Sequence, residues 1–193
     1  AIPDTVKKLT DGGGKVFVEK GAGIGSYFTD EEYEKTGAAI VDDVQELYDR
    51  SDIILKVKEP LFNEDMGKHE VDMMHEGQAL ITFLHPAAPP NHDMVKKLME
   101  KKVTSLTLDG IPRISRAQSM DALTSMSTVA GYKSVIMAAD RLPKFIPMIG
   151  TAVGMIQPST VMVIGVGVAG LQAIATAKRL GAVVYAADIR PDA

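Results

Sequence analysis

Short apolar runs alternate with amphipathic segments along most of the chain. Runs such as 53–57 (IILKV) and 79–84 (ALITFL) have the length and residue types of buried strands. Segments such as 91–101 repeat apolar residues three or four positions apart, which indicates helices. The pattern predicts strands at 15–19, 39–41, 53–57, 79–84, 103–108, 161–164 and 183–187, and helices at 30–35, 42–50, 63–75, 91–101, 119–142 and 169–180.

This alternation of strands and helices is typical of βαβ units. It predicts an α/β protein with a mainly parallel sheet. We expect the first domain at 1–118, a long connecting helix at 119–143, and the beginning of a nucleotide-binding domain at 144–193. A nucleotide-binding sheet usually contains two βαβαβ halves, and only one βαβ unit follows residue 160. The second domain is therefore expected to be truncated.

Composition excludes several classes of function. The 193 residues include 21 Lys and Arg against 25 Asp and Glu, and a net charge of −4 disfavours nucleic-acid binding. The chain has no cysteine, which excludes disulfides, thiolate nucleophiles and Cys-based metal sites. Residues 145–177 carry no charge, but recurrent glycines and the polar stretch 157–160 interrupt them. No membrane span is therefore expected in this chain.

The clearest chemical motif is Gly165-x-Gly167-x-x-Gly170, which follows a predicted strand and opens a predicted helix. Gly165 would permit the tight turn, Gly167 the approach of a pyrophosphate to the backbone, and Gly170 close packing of helix and strand. Val166, Val168 and Ala169 complete the loop, whose N–H groups would face the phosphates. A glycine turn that only packs is the alternative.

An acidic residue at the end of the next strand completes this dinucleotide fingerprint. Asp188 lies 23 residues after Gly165, close to the spacing of about 20 that a ribose-binding carboxylate requires. Its charge would accept the ribose hydroxyls and repel a 2′-phosphate, which favours NAD(H) over NADP(H). Arg190 also lies here and would favour NADP(H), but it follows the acid by two residues and is considered secondary.

A second polar cluster lies between a predicted strand and the long helix. Arg113, Arg116, Gln118 and Asp121 surround Ser119, a candidate helix cap. Guanidinium and amide groups can bind a nicotinamide amide or ribose without any proton chemistry. A polar loop with a helix N-cap remains the alternative.

His85 and Lys58 follow buried strands, at the sheet edge where α/β proteins bind ligands. For each, a structural or solvated role is a comparable alternative. His69 and His75 are six residues apart, so they do not share a helix face, and no metal site is expected.

Two segments carry a family resemblance: PRISRAQSMDALTSMSTVAGY at 112–132 and GVGVAGLQAIATAKRLGA at 165–182. They resemble the NAD(H)-binding domain, domain I, of the alpha subunit of proton-translocating nicotinamide nucleotide transhydrogenase. Residues 19–40 and 52–60 match the wider superfamily shared with alanine dehydrogenase. The polar stretch at 112–121 is the specific part, because alanine dehydrogenases carry a non-polar sequence there.

The resemblance implies an α/β fold of two Rossmann-like parallel-sheet domains with a cleft between them, the second domain being truncated here. It implies NAD(H) as cofactor, bound in that cleft, and direct, Re/Si-specific hydride transfer to NADP⁺ on a partner domain. It implies a partner subunit that supplies the NADP(H)-binding domain and a membrane domain for proton translocation. It also implies a homodimer in the cytoplasm, peripheral to the inner membrane through that partner. Against the family pattern, the first strand and the second half of the NAD domain are expected to be missing.

On matching positions, the resemblance assigns Arg113, Gln118 and Asp121 to the reacting end of the cofactor. Thr124 replaces the serine of many members and keeps its hydroxyl. Gly165, Gly167, Gly170 and Asp188 match the family's glycine loop and acid.

Two other functions stay open. In an alanine dehydrogenase relative, His85 would be the acid/base and Lys58 would bind the substrate carboxylate. A non-catalytic NAD-binding module is the third possibility.

Overall fold

A computed structural model describes residues 1–112 and 114–191 of the chain. The chain divides into two compact units, unit 1 (Ala1–Ile111) and unit 2 (Pro112–Ala193). The α/β class with parallel sheets is confirmed in both units. The sequence places domain limits at 118 and 143, which differ from the division after Ile111, and those limits stay a prediction.

Unit 1 contains two parallel sheets flanked by short helices. Three strands form one sheet: β3 (Ile53–Leu55), β6 (Ala79–Thr82) and β7 (Thr104–Thr107). In this sheet Leu80 lies opposite Ile54 on one side and Ser105 on the other. Strands β1 and β2 form a separate parallel pair. The elements are α1 (Pro3–Asp11), β1 (Phe17–Glu19), α2 (Asp30–Glu34), β2 (Ala39–Val41), α3 (Val44–Arg50), β3 (Ile53–Leu55), β4 (Phe62–Asn63), β5 (Lys68–His69), α4 (Glu70–Met73), β6 (Ala79–Thr82), α5 (His92–Glu100) and β7 (Thr104–Thr107).

The main core of unit 1 lies around β6, the central strand of its larger sheet. Leu80 on β6 and Val71 on α4 are completely buried there, because helices pack on the faces of a parallel sheet. The remaining buried members are Tyr48, Ile54, Met73, Met74, Leu84, Met94, Leu98 and Val103.

Helix α2 begins where the sequence predicts it, because a capping box fixes its first turn. The Thr29 hydroxyl accepts the Glu32 N–H at 3.4 Å, and the Glu32 carboxylate accepts the Thr29 N–H at 2.7 Å. These two bonds satisfy backbone donors that a helix N-terminus leaves without partners.

The predicted helix at 63–75 is wrong over most of its length. Strands β4 and β5 form an antiparallel hairpin, and only Glu70–Met73 are helical. The Asn63 side chain accepts the Met66 N–H at 2.9 Å, and Gly67 has a φ of +62°. A turn bonded by the Asn63 side chain and followed by a left-handed glycine closes a hairpin, and a helix cannot continue through it. Helix α1, which the sequence pattern did not predict, precedes β1.

Unit 2 contains a parallel strand pair and two helices that pack against each other. Its elements are α6 (Ala122–Arg141), β8 (Ile149–Thr151), β9 (Gly154–Ile156), β10 (Thr160–Ile164), α7 (Val168–Arg179) and β11 (Val183–Ala187). Strands β10 and β11 run parallel from Thr160 opposite Val183 to Ile164 opposite Ala187. The uncharged stretch 145–177 thus holds a hairpin, a strand and most of a helix. Within residues 1–112 and 114–191, no helix has the length and apolar character needed to cross a membrane.

The polar side chain of Gln78 lies in the core of unit 1 and is hydrogen-bonded there. Gln78 is completely buried. Its amide nitrogen donates to the Tyr48 carbonyl at 2.8 Å and to the Ser51 carbonyl at 2.6 Å. These bonds join the end of α3 to the start of β6 and supplement the bond that the Tyr48 carbonyl accepts from the Ser51 N–H at 3.3 Å.

Replacing Gln78 by Leu should lower the free energy of unfolding by about 2–4 kcal/mol, because the Tyr48 and Ser51 carbonyls would each lose the hydrogen bond from the Gln78 amide. Urea unfolding followed by circular dichroism measures this change. Gln157→Leu is the matched control, since Gln157 is exposed and should give a change near zero. Equal stability of the two variants would contradict a structural role for Gln78.

Candidate functional site

A glycine turn connects β10 to α7 in unit 2. Gly165 has a φ of +92°, in the left-handed region where residues with a side chain are strained. Its N–H donates to the Ala187 carbonyl at 2.7 Å and continues the ladder from β10 to β11. The turn therefore leaves the sheet at a fixed point and leads directly into the helix.

The other two glycines of the motif differ in what surrounds them. A Cβ on Gly170 would lie 1.8 Å from the Gly165 carbonyl oxygen, so the helix packs on the turn only without a side chain there. A Cβ on Gly167 would meet nothing within 4 Å, so the space beside this residue is open. Both surroundings agree with the roles that the sequence predicts for these residues.

The residues of the first turn of α7 border this open space. Helix α7 has 12 residues, and Gly167 is its N-cap. The first N–H groups of a helix have no intrahelical acceptor, and the helix dipole places a partial positive charge there. The loop predicted to hold a pyrophosphate, with Val168 and Ala169 in this first turn, has the donors and the polarity that an anion requires.

Asp188 follows β11 and closes the glycine turn from the other strand. One carboxylate oxygen accepts the Val166 N–H at 2.6 Å, and the other accepts the Arg190 N–H at 2.9 Å. These two backbone bonds, with the nearby Arg190 guanidinium, hold the pKa of Asp188 below its usual range. The carboxylate is thus ionised at neutral pH. The oxygen bonded to Val166 keeps a lone pair for a ribose hydroxyl, whereas the other oxygen also accepts the Arg190 Nε–H at 3.4 Å.

An open cavity of about 610 Å³ lies where one face of α6 meets the glycine turn and the first turn of α7. Its volume lies within the range of small-molecule sites, about 300–1,000 Å³. From α6 it is lined by Thr124, Ser127, Ala130, Gly131 and Ser134, and from the strand, turn and helix by Val163, Ile164, Gly165, Gly167, Val168, Ala169, Gly170 and Ala173. Open space beside Gly167, helix N–H donors and an ionised acid together fit a dinucleotide.

The polar segment 112–121 ends at the wall of this cavity. Asp121 is the N-cap of α6, where its two carboxylate oxygens accept the Thr124 N–H at 2.9 Å and the Thr124 hydroxyl at 2.7 Å. Gln118 is exposed in the preceding 3₁₀ turn. Arg113 lies outside the described residues. The capping residue is therefore Asp121, and the expectation that Ser119 caps a helix from 119 is wrong.

His85 belongs to unit 1 and forms a pair with Asp109 after β6 and β7. The His85 Nδ1 lies 2.7 Å from an Asp109 oxygen, and the imidazole stacks on the Phe83 ring with centroids 5.6 Å apart. Burial raises the pKa of Asp109, but bonds from the Thr107 hydroxyl and from backbone N–H groups outweigh it and lower the pKa overall. The carboxylate thus orients the imidazole and leaves Nε2 on the opposite side of the ring.

The two lysines after β3 have different surroundings. Lys58 is exposed, whereas the half-buried Lys56 forms an ion pair with Glu70. Of the two, Lys56 is the one held in place by the fold. Among residues 1–112 and 114–191, no group of three His, Cys, Asp or Glu side chains could hold a metal ion.

Gly131 is a site residue that the sequence motif did not reveal. It is buried in α6 and lines the cavity opposite the glycine turn. A single glycine inside a helical pattern gives no spacing signal, so its position became visible only with the packing of α6 on α7.

Comparison with known proteins gives consistent results over both units. The family model for the N-terminal domain of alanine dehydrogenase/PNT matches residues 1–130, and that for the C-terminal domain matches residues 134–193. An NAD(P) transhydrogenase alpha subunit of Rhodospirillum rubrum is 46% identical over 97% of this chain and 48% of its own length. Alanine dehydrogenase of Methanococcus maripaludis is 37% identical over 97% of this chain and 48% of its own length.

Solved structures give the same result. The transhydrogenase of Sinorhizobium meliloti superposes with a TM-score of 0.90 at 41% identity, covering 98% of this chain and 52% of that one. An L-alanine dehydrogenase superposes with a TM-score of 0.81 at 31% identity, covering 98% of this chain and 50% of that one.

The chain spans about half the length of the relatives it matches. The prediction of NAD(H) as cofactor is confirmed for the family. Because the two family models together match nearly all of the chain, it belongs to the alanine dehydrogenase/PNT family.

Proposed function

We propose that this chain binds NAD(H) in unit 2 and serves as the NAD(H)-binding component of a proton-translocating transhydrogenase. The observation that carries the proposal is the cavity that α6 and the glycine turn line together. One wall carries the first turn of α7, whose N–H groups suit the pyrophosphate. Asp188, the candidate acid for the ribose, lies next to that wall and is bonded to Val166 of the same turn. The other wall begins at Thr124, which is hydrogen-bonded to Asp121. Asp121 ends the polar segment 112–121, by which the chain resembles transhydrogenases rather than alanine dehydrogenases.

In this function, the residues of the chain bind and orient, and none acts as a general acid or base. The loop from Gly165 to Gly170 holds the pyrophosphate, and Asp188 accepts the ribose hydroxyls. Arg113, Gln118 and Asp121 orient the nicotinamide end, with Thr124 beside them. Bound NADH supplies the hydride, and catalysis consists in placing its ring against the acceptor ring and excluding water.

The acceptor would be NADP⁺ on a domain of a partner subunit, whose membrane domain couples the transfer to proton translocation. The protein would work as a homodimer in the cytoplasm, held at the inner membrane through that subunit. The identity to transhydrogenase alpha subunits, 46% in one and 42% in another, supports this assignment. The test is a transhydrogenation assay of the full-length protein with NADH, an NADP⁺ analogue and the NADP(H)-binding partner.

An alanine dehydrogenase-like activity is the second candidate, and the pair of His85 and Asp109 favours it. A histidine whose tautomer is fixed by a carboxylate can act as an acid/base. Incubation of the full-length protein with alanine and NAD⁺ tests this activity, and release of ammonia would support it. NAD(H) binding without activity in either assay would instead indicate a non-catalytic module.

Replacing Asp188 by Ala should weaken NADH binding at least about tenfold, because charge-assisted hydrogen bonds to the ribose are lost. Titration of NADH fluorescence with the full-length protein measures the affinity. Asp140→Ala, an exposed acid at the other end of α6, is the matched control. Unchanged affinity in Asp188→Ala would show that Asp188 is not the ribose acid.

The affinity for ADP-ribose should stay constant between about pH 8 and pH 5, because the pKa of Asp188 is held below its usual range of about 3.9. The carboxylate becomes protonated, and affinity falls, only as the pH decreases below that interval. Calorimetric titration at several pH values measures this dependence. A midpoint between about pH 5 and 7 would assign binding to a different titrating group.

Replacing Gln118 by Asn should slow hydride transfer strongly and change NADH affinity little. Reacting carbons must lie within about 3–3.5 Å, so a shortened side chain at the nicotinamide end misplaces the ring. Most binding energy lies at the adenosine and pyrophosphate end. Single-turnover transfer in the reconstituted two-component complex is measured beside an NADH titration.

A purely structural role of the segment 112–121 would give the reverse result in Gln118→Asn. The variant would then unfold at a lower temperature but transfer hydride normally per folded molecule. Unaltered transfer would remove Gln118 from the reacting end and weaken the case for transhydrogenase over alanine dehydrogenase chemistry.

A further inference from the structure

Helix α6 approaches α7 most closely at Gly131. A Cβ on this residue would lie 2.1 Å from the Ala169 carbonyl oxygen and 2.9 Å from its carbonyl carbon. Both distances are below the 3.0 Å that real Cβ atoms respect, and both partner atoms are backbone. Any side chain at residue 131 would therefore force the two helices apart.

The contact falls on the turn of α7 that faces the cavity. Ala169 is the second residue of α7, between the N-cap Gly167 and Gly170. On the opposite side, the Gly165 carbonyl oxygen occupies the place where a Cβ of Gly170 would lie. The first turn of α7 is thus held by backbone contacts to α6 and to the glycine turn.

The same face of α6 forms the opposite wall of the cavity. Thr124, Ser127, Gly131 and Ser134 are spaced by three and four residues, so they lie on one side of the helix. The width of the cavity between this side and the N–H groups of α7 is set where the helices touch. A mid-helix glycine costs about 1 kcal/mol relative to alanine, so close packing is the physical advantage that offsets this cost.

We propose that Gly131 is a positioning residue of the nucleotide site. Because it lacks a side chain, it sets the distance between α6 and the first turn of α7, and so places the N–H groups for the pyrophosphate. This inference rests on the proposed NAD(H) binding. It adds to the three-glycine motif a fourth glycine from a different helix.

Gly131→Ala in the full-length protein tests the inference with two probes, ADP-ribose and adenosine. We expect the affinity for ADP-ribose to fall about tenfold or more, because the pyrophosphate donors move. The affinity for adenosine, which carries no phosphate, should change less than about twofold. Calorimetry measures the first ligand and NMR titration the weaker second one.

Gly150→Ala is the matched control, since Gly150 lies in β8 of the same unit and a Cβ there meets nothing within 4 Å. It should bind both probes as the wild type does. An equal loss of both probes in Gly131→Ala, or no loss in the folded variant, would overturn the positioning role. A wild-type protein that binds no ADP-ribose would instead contradict the proposed function.

Hydrogen exchange on the wild-type protein gives a second test that does not depend on the folding of a variant. Since α6 contacts the phosphate-binding turn directly, ADP-ribose should slow amide exchange in residues 127–135 as well as in residues 166–171. Protection confined to 166–171 would show that α6 does not take part in positioning and would overturn the inference.

Discussion

Two backbone oxygens occupy the places where side chains of residues 131 and 170 would begin. One is the carbonyl oxygen of Ala169 and the other that of Gly165. Carbonyl groups cannot be moved as a flexible side chain can, because the helix and the sheet hold them. The strand, the turn and both helices of unit 2 therefore depend on a backbone that has no Cβ at these two points. The same elements line the cavity, so the close packing at these two points sets its dimensions.

The elements of this arrangement that are local in sequence could be predicted. Gly165, Gly167, Gly170 and Asp188 lie within 24 consecutive residues, and strand, turn, helix and strand follow one another without interruption. The spacing of apolar residues changes from that of a strand to that of a helix at the glycines, and returns to that of a strand after the helix. The bounds of β11 therefore agree with the predicted strand at 183–187. A succession of elements that are adjacent in sequence can be predicted from the residues of that stretch alone.

Contacts between distant residues could not be predicted in the same way. Gly131 and Ala169 are 38 positions apart, and the pairing of His85 with Asp109 joins the ends of two neighbouring strands. The helix predicted at 63–75 failed for the opposite reason. There the apolar spacing suits a helix, but the chain forms a hairpin instead. The Asn63 side chain bonds the turn, and the left-handed Gly67 prevents a helix from continuing.

The bond between Asp188 and the Val166 N–H has a consequence for attempts to change cofactor preference. A designer who wants NADP(H) would normally replace the ribose acid by a neutral or basic residue. Here the same carboxylate also ties the glycine turn to the end of β11. Asp188 therefore affects both the cofactor preference and the geometry of the glycine turn. A successful redesign must supply a new acceptor for the Val166 N–H as well as a new partner for the 2′-phosphate.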